Sequence, residues 1–207
     1  KNRFAGDLEL LAEHWGVSSE VAKEQWISIV LLAPLQKVEA LIEGKEKVFL
    51  TFINTEDEVI ISGDKEICLQ IAADLKCHSI AIPFQNVIHH DFCEKESDGL
   101  LDMHHFDIAE KPEIDFYSSI TQKKININSQ EIAENSVAVC AQQVNFPKTI
   151  QTVYDAGACI FIEVGANATC TSWIQDNLKG KAHHAVAMDQ KGKSDINNLV
   201  NLLAQLT

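Results

Sequence analysis

WISIVLLA at Trp26–Ala33, KVFLTFI at Lys47–Ile53 and EVIIS at Glu58–Ser62 are the segments that decide the predicted fold. Each segment is short, apolar and rich in β-branched or aromatic residues, which is typical of strands buried in a sheet. None is long enough for a helix of average length. The three runs therefore predict three strands in close succession.

Two helices and a fourth strand complete this region. Apolar side chains recur at helical spacing in Leu35–Ile42, and Asp64 is a candidate N-cap for a second helix. The segment His78–Phe84 again has the composition of a strand. The order strand, helix, strand, strand, helix, strand is that of the split βαβ arrangement, so residues 26–85 predict a ferredoxin-like small subdomain.

The segments on either side have different patterns. Residues 1–25 predict a helical segment, with Asp7 as a candidate N-cap and Gly16 as a candidate helix end. Residues 86–207 start irregularly and then alternate between strand-like and helical segments, which favours a largely parallel sheet covered on both faces. The last helix is predicted to turn its apolar stripe inward, namely Ile196, Leu199, Val200 and Leu203.

Composition and charge exclude several classes of protein. The 207 residues carry 30 acidic and 17 basic side chains, and no cluster of Lys and Arg suited to nucleic acid occurs. The longest apolar run, Ile27–Pro34, is far shorter than the ~20 residues that a membrane helix needs. The six cysteines form no CxxC pair. We therefore expect a cytoplasmic protein without nucleic-acid binding or membrane insertion.

Three sets of motifs occur in order along the chain. They are NTEDEVIISG at Asn54–Gly63, IPFQNVIH at Ile82–His89, and QVNFP at Gln143–Pro147 together with FIEVGANATCT at Phe161–Thr171. These motifs resemble those of the acyltransferases of fatty-acid and polyketide synthases, which include the malonyl-CoA:acyl-carrier-protein transacylases. The resemblance is closest to the acyltransferase subunit of bacterial polyunsaturated fatty acid synthases.

This resemblance implies both a fold and a function. The implied fold is an α/β-hydrolase-like large subdomain, incomplete here, into which the ferredoxin-like small subdomain is inserted. The implied reaction moves an acyl group from coenzyme A to the phosphopantetheine thiol of an acyl carrier protein through an acyl-serine. It needs no bound cofactor, and the implied partners are acyl carrier protein domains and other synthase subunits.

The resemblance also assigns roles to particular residues. His89 ends the second motif and corresponds to the general base, a task that suits imidazole because it titrates near neutral pH. The backbone oxygen of Gln143 is expected to orient the ring of His89. His90, where the family usually has serine, and Asn54 in the first motif are expected to bind substrate.

Two family features are missing from the sequence. No Gly-x-Ser-x-Gly elbow occurs, and the lookalike Gly16–Glu20 lacks the second glycine, so Ser18 is interpreted as a helix cap. The nucleophilic serine is therefore expected outside this chain, which is interpreted as a fragment. Arg3 is the only arginine available to pair with a malonyl carboxylate, so the transferred acyl group stays open.

Two alternatives to this function remain open. The chain could be a non-catalytic scaffold, an acyltransferase domain that has lost its serine and holds a synthase complex together. It could instead bind a metal ion through imidazole and carboxylate groups, although no HExxH spacing occurs. The candidate ligands are His89, His90, His104, His105, Asp102 and Asp107.

Overall fold

The computed structural model describes residues 8–83, 86–91, 94, 97–108, 112–192 and 194–206. The chain forms two compact units, a first unit at Lys1–Thr149 and a second unit at Ile150–Thr207. None of the helices in the described part of the chain is long and apolar enough to cross a membrane. The subdomain boundaries 1–25, 26–85 and 86–207 stay a prediction.

Two short helices, α1 (Leu8–Trp15) and α2 (Ser19–Gln25), precede the sheet. Gly16 follows α1 with a φ of +68°, a left-handed conformation that glycine adopts without a steric penalty. The side chain of Ser18 accepts a hydrogen bond from the amide of Val21 and caps α2. The structure thus confirms that Ser18 is a helix cap, whereas the predicted cap Asp7 lies outside the described residues.

The next six elements form an antiparallel sheet with two helices. In chain order they are β1 (Trp26–Leu32), α3 (Leu35–Ile42), β2 (Val48–Ile53), β3 (Val59–Asp64), α4 (Lys65–Leu75) and β4 (His78–Ala81). The strands lie in the order β4, β1, β3, β2, and all three neighbouring pairs are antiparallel. This is the predicted ferredoxin-like topology, although β4 ends at Ala81, and Phe84 lies outside the described residues.

One face of this sheet packs against α3 and α4. Alternate residues of each strand point to this face, so Ile29 and Leu31 of β1 and Ile61 of β3 are buried beside Val38 of α3 and Ile71 of α4. Burial of each such aliphatic side chain contributes about 1.5–3 kcal/mol. The opposite face of the sheet carries no helix of this pair and is therefore open to other segments of the chain.

The rest of the first unit differs from the predicted parallel layer. It contains α5 (Ser97–His104), β5 (Phe116–Tyr117), β6 (Lys124–Ile125), α6 (Ser129–Ala141), β7 (Val144–Asn145) and the start of α7 (Phe146–Asp155). β5 and β6 form an antiparallel pair, and β7 pairs in parallel with β2 of the small sheet. The Gln143 side chain donates a hydrogen bond to the Leu50 carbonyl and fixes β7 at this edge.

The second unit contains β8 (Ile160–Glu163), α8 (Thr169–Asn177), β9 (His184–Ala187) and α9 (Asp195–Leu206). Its two strands are parallel, as predicted for this part of the chain. The prediction of a parallel sheet covered on both faces is otherwise wrong, because the described residues place β5, β6 and β7 elsewhere and leave Ile160 and Ile162 exposed.

The inward face of α9 also differs from the prediction. α9 buries Asn198 and Leu202, while the predicted stripe is exposed, with Ile196 at 76% and Val200 at 58%. The amide of Asn198 donates hydrogen bonds to the carboxylate of Asp189 and the carbonyl of Gln190. These polar contacts set the rotation of the helix, which the apolar spacing alone cannot reveal.

Candidate active site

A cavity of about 320 Å³ lies on the face of the sheet that α3 and α4 do not cover. Its strand residues are those that alternate with the core residues, and four described residues that follow β4 add their side chains to the lining. The described lining residues are Ser28, Thr51, Phe52, Ile60 and Ser62 from the strands and Ile82, Asn86, Ile88 and His89 from the residues after β4.

An irregularity in β2 shapes one wall of the cavity. The pairing of β2 with β3 shifts register between Leu50 and Phe52, so Thr51 is an extra residue in the strand. Such a bulge bends the strand and re-aims the adjacent side chains. As a result Thr51 and Phe52 are consecutive in sequence and yet both line the cavity.

Among the described lining residues, His89 has the only side chain that titrates near neutral pH. Its backbone is left-handed, with φ of +61°, and its amide donates to the carbonyl of Cys140 at 2.6 Å. The ring lies edge-on to Phe52, with 4.3 Å between the ring centroids, and Nδ1 lies 2.6 Å from the carbonyl oxygen of Val139. A carbonyl oxygen can only accept, so Nδ1 carries the hydrogen and Nε2 is free to take a proton.

The end of helix α6 holds His89 in this position. The last carbonyls of a helix have no amide partner within the helix, and here those of Val139 and Cys140 accept from the ring and the amide of His89. The partial negative charge at a helix C-terminus also favours a protonated imidazole. Burial lowers the pKa of His89, and the hydrogen bond to Val139 raises it in part.

The structure corrects the predicted role of Gln143. The carbonyl that orients His89 belongs to Val139, four residues earlier, while Gln143 reaches Leu50 through its side chain. Val139 lies in the last turn of α6 and Gln143 in the turn between α6 and β7, so the motif located a neighbouring part of the chain. The side-chain sequence does not reveal which backbone carbonyl orients the His89 ring, because this depends on where α6 ends.

His90 does not line the cavity and packs on the aromatic cluster near α1. Its ring centroid lies 3.7 Å from that of Phe49, which stacks in turn on Trp26. Its Nδ1 lies 2.5 Å from the carboxylate of Asp91. Burial lowers the pKa of His90, Asp91 raises it and His14 lowers it further. The substrate-binding role predicted for His90 is therefore not supported by its position.

Asn54 lies in the turn between β2 and β3 and not at the cavity. Its side chain is 1% exposed and donates to the carboxylate of Glu58, and its amide donates to the carbonyl of Glu58. These contacts stabilise the turn, and the position of Asn54 does not support the substrate-binding role predicted for it.

The candidate metal ligands of the alternative interpretation are not brought together in the described part of the chain. Among these residues no group of three or more His, Cys, Asp or Glu side chains is arranged to hold a metal ion. His104 uses Nδ1 for a hydrogen bond to the Leu100 carbonyl of its own helix. His89 is likewise committed through Nδ1 to Val139.

Three cavity residues were not singled out from the sequence. Ser28, Thr51 and Ser62 are hydroxyl residues within apolar strands, and all three side chains are buried. The signal that could have found them is a polar residue at alternate positions of an otherwise apolar strand. Their meeting across β1, β3 and β2 depends on the pairing register.

The chain was compared with protein-family models, curated proteins and solved structures. No protein-family model matches the chain. A curated relative is one of the subunits of the polyunsaturated fatty acid synthase of Thraustochytrium sp. It is 24% identical over 217 residues, which cover 98% of this chain and 11% of that protein.

Solved structures with this fold include two acyltransferases. The acyltransferase domain from module 8 of the salinomycin polyketide synthase has a TM-score of 0.76 and 17% identity over 87% of this chain and 44% of that chain. A malonyl-transacylase, in complex with its type II polyketide synthase acyl-carrier protein, has a TM-score of 0.71 and 15% identity over 93% of this chain and 62% of that chain. The chain has the fold of acyltransferase domains.

The acyltransferase fold confirms the predicted fold class, an α/β protein with a ferredoxin-like small subdomain. The chain spans 11% of the curated relative and about half of the solved acyltransferase structures, with 44% and 62% for the two above.

In the second unit, Glu163 of the motif at Phe161–Thr171 has a structural role. The Glu163 carboxylate at the end of β8 accepts hydrogen bonds from the amides of Cys170 and Thr171 and from the Thr171 hydroxyl.

Proposed function

We propose that the chain is the base-bearing part of an acyltransferase that moves an acyl group from coenzyme A to the phosphopantetheine thiol of an acyl carrier protein. The observation that supports this most directly is the position and tautomer of the His89 ring. Its Nδ1 is held by the Val139 carbonyl while its ring lines the cavity, so Nε2 is available as a general base. Synthesis of polyunsaturated fatty acids is the proposed setting, since the curated relative is a subunit of such a synthase.

The proposed reaction has two steps with His89 as the proton carrier. A serine hydroxyl gives its proton to Nε2 and attacks the acyl thioester, and the coenzyme A sulfur leaves and takes that proton. The carrier thiol then gives its proton to Nε2 and attacks the acyl-serine ester, and the serine oxygen recovers the proton. The carbonyls of Val139 and Cys140 stabilise the protonated ring in between.

The nucleophilic serine is proposed to lie outside these 207 residues. No Gly-x-Ser-x-Gly motif occurs in the sequence, and Ser18, the serine of the lookalike motif, caps α2. Acyl carrier protein domains and other synthase subunits are the proposed partners. One solved neighbour of this fold is a transacylase bound to its carrier protein, which supports the carrier as a partner. A cytoplasmic location is also proposed.

The test is acylation of a longer product that includes the elbow serine. Mixing that product with acyl-CoAs is expected to give an acyl-serine that intact-mass measurement detects, and His89→Ala is expected to slow its formation by roughly 10²-fold to 10⁴-fold. His90→Ala is the matched control, because His90 is the adjacent histidine and packs on Phe49 away from the cavity. It is expected to leave the rate within about threefold, because it does not remove the proton carrier.

Two outcomes would contradict the proposal. Loss of acylation in His90→Ala with normal rates in His89→Ala would show that the wrong imidazole was assigned. Absence of any acyl adduct on a folded longer product, with every acyl-CoA offered, would favour the non-catalytic scaffold instead.

A further inference from the structure

Three buried hydroxyl groups form a row along the sheet side of the cavity. The Ser28 and Ser62 hydroxyl oxygens are 2.8 Å apart, and those of Ser62 and Thr51 are 3.2 Å apart. The row crosses three strands, because Ser28 lies on β1, Ser62 on β3 and Thr51 on β2. The proton transfers proposed for His89 require none of these groups.

The hydrogen bonds of this row run in one direction. The Thr51 oxygen lies 3.2 Å from the carbonyl oxygen of Ile60, which can only accept, so the Thr51 hydroxyl donates there. Ser62 must then donate to Thr51, and Ser28 must donate to Ser62. All three hydroxyl hydrogens are used within the row, and the Ser28 oxygen at its end keeps its lone pairs available.

The remaining lining favours a neutral ligand with a long apolar part. Phe52, Ile60, Ile82 and Ile88 supply apolar surface, and no Lys, Arg, Asp or Glu occurs among the described residues that line the cavity. A charged group buried here would lose its hydration without a counter-ion. The volume of about 320 Å³ lies at the lower end of the range of ligand pockets.

The polar atoms of the cavity select for a hydrogen-bond donor on that ligand. Ser28 can only accept at the end of the row, and Nε2 of His89 is also an acceptor in the tautomer that Val139 imposes. Asn86 carries both a donor and an acceptor and does not discriminate between ligands. A ligand hydroxyl can donate a hydrogen bond to the Ser28 oxygen. A ketone oxygen cannot, because both oxygens are then acceptors and repel each other.

We propose that the cavity binds a neutral hydroxyacyl group and that the hydroxyl of this group donates a hydrogen bond to the Ser28 oxygen. This inference rests on the proposed function in taking an acyl thioester as the ligand. Binding does not require the nucleophilic serine, so it can be measured on these 207 residues whether or not a longer product forms an acyl-serine.

The test is calorimetric binding of four kinds of small thioester or thiol to the 207-residue protein. The probes are the N-acetylcysteamine thioesters of octanoic acid, of 3-, 5- and 7-hydroxyoctanoic acid and of 3-oxooctanoic acid, and N-acetylcysteamine alone. At least one hydroxyoctanoyl thioester is expected to bind about three- to tenfold more tightly than the octanoyl and oxooctanoyl thioesters, the effect of one neutral hydrogen bond.

Variants of Ser28 identify the group responsible for this preference. Ser28→Ala is expected to abolish it, and Ser28→Thr, which keeps a hydroxyl, is expected to retain it. Ser28→Ala leaves the bonds from Ser62 to Thr51 and from Thr51 to Ile60 in place, so the sheet should still form. Ser79→Ala is the matched control, because Ser79 lies on β4 of the same sheet and is exposed.

Three results would overturn the inference. One is equal affinity for the octanoyl thioester and for every hydroxyoctanoyl thioester. Another is a hydroxyl preference that persists in a folded Ser28→Ala variant. The third is binding of N-acetylcysteamine alone that is lost in Ser28→Ala, because the amide of the pantetheine-like part would then be the donor instead of the acyl hydroxyl.

Discussion

His89 shows how a single residue depends on a distant helix end. Its left-handed backbone costs on the order of 1–3 kcal/mol and persists only where the surroundings hold it. Here the amide and the ring both bond to the last turn of α6, at Cys140 and Val139. Both bonds offset the strain, and the ring bond to Val139 also fixes the tautomer that leaves Nε2 able to accept a proton.

The titration of His89 provides a prediction on this chain alone. Burial lowers its pKa, so Nε2 should stay unprotonated at neutral pH and take up a proton only below the ordinary value of ~6.5. As pH falls, the unfolded chain takes up this proton first, so His89 lowers stability progressively below pH ~6.5. Two-dimensional ¹⁵N spectra of the imidazole should show hydrogen on Nδ1. Hydrogen on Nε2, or a midpoint above ~6.5, would contradict the assignment.

Gly63 is the second residue for which the structure makes a sharp prediction. Its φ is +148°, and a Cβ at this position would lie 2.1 Å from the backbone oxygen of Lys47, the residue just before β2. Gly63→Ala is therefore expected to lower the free energy of unfolding by at least about 2 kcal/mol, measured by urea unfolding. In Gly165→Ala the added Cβ meets no atom within 4 Å, so this control should change stability by no more than about 0.5 kcal/mol.

At the scale of the element, α9 tests which side of a helix is inside. Leu202 is buried and Ile196 is 76% exposed, although the apolar spacing predicts that Ile196 is buried. Leu202→Lys is expected to lower the free energy of unfolding by about 2–5 kcal/mol, while Ile196→Lys should change it by no more than about 0.5 kcal/mol. Denaturant unfolding followed by circular dichroism measures both. A larger loss of unfolding free energy in Ile196→Lys than in Leu202→Lys would show that the face predicted from the sequence is the buried one.

The elements of the small subdomain could be predicted because their signals are local. The apolar runs of β1, β2 and β3 and the Asp64 cap of α4 each act within a few residues, and the structure shows the expected order. The partner of β7 could not be predicted in this way. A strand of two residues carries little pairing information of its own. β7 pairs with the open edge of β2, where the Gln143 side chain bonds to the Leu50 carbonyl.

At the scale of the whole molecule, the two compact units predict separate local stabilities. Gly63→Ala acts in the first unit, and Glu163→Ala removes the acceptor for three hydrogen bonds at the start of α8 in the second. We expect hydrogen exchange measured by mass spectrometry to show each variant losing protection mainly in peptides of its own unit. Equal losses along the entire chain in both variants would show instead that the chain opens as one cooperative body.

The sequence by itself determined the fold class and the order of strands and helices from β1 to β4, and it singled out His89 as the candidate base. Periodicity, caps and motifs carry this information because they depend on neighbouring residues. Only the tertiary structure decided that the carbonyl of Val139 orients His89, that His90 and Asn54 lie away from the cavity, and that Ser28, Ser62 and Thr51 meet in one row. These facts depend on strand register and on where a helix ends, which place residues distant in sequence within hydrogen-bond reach.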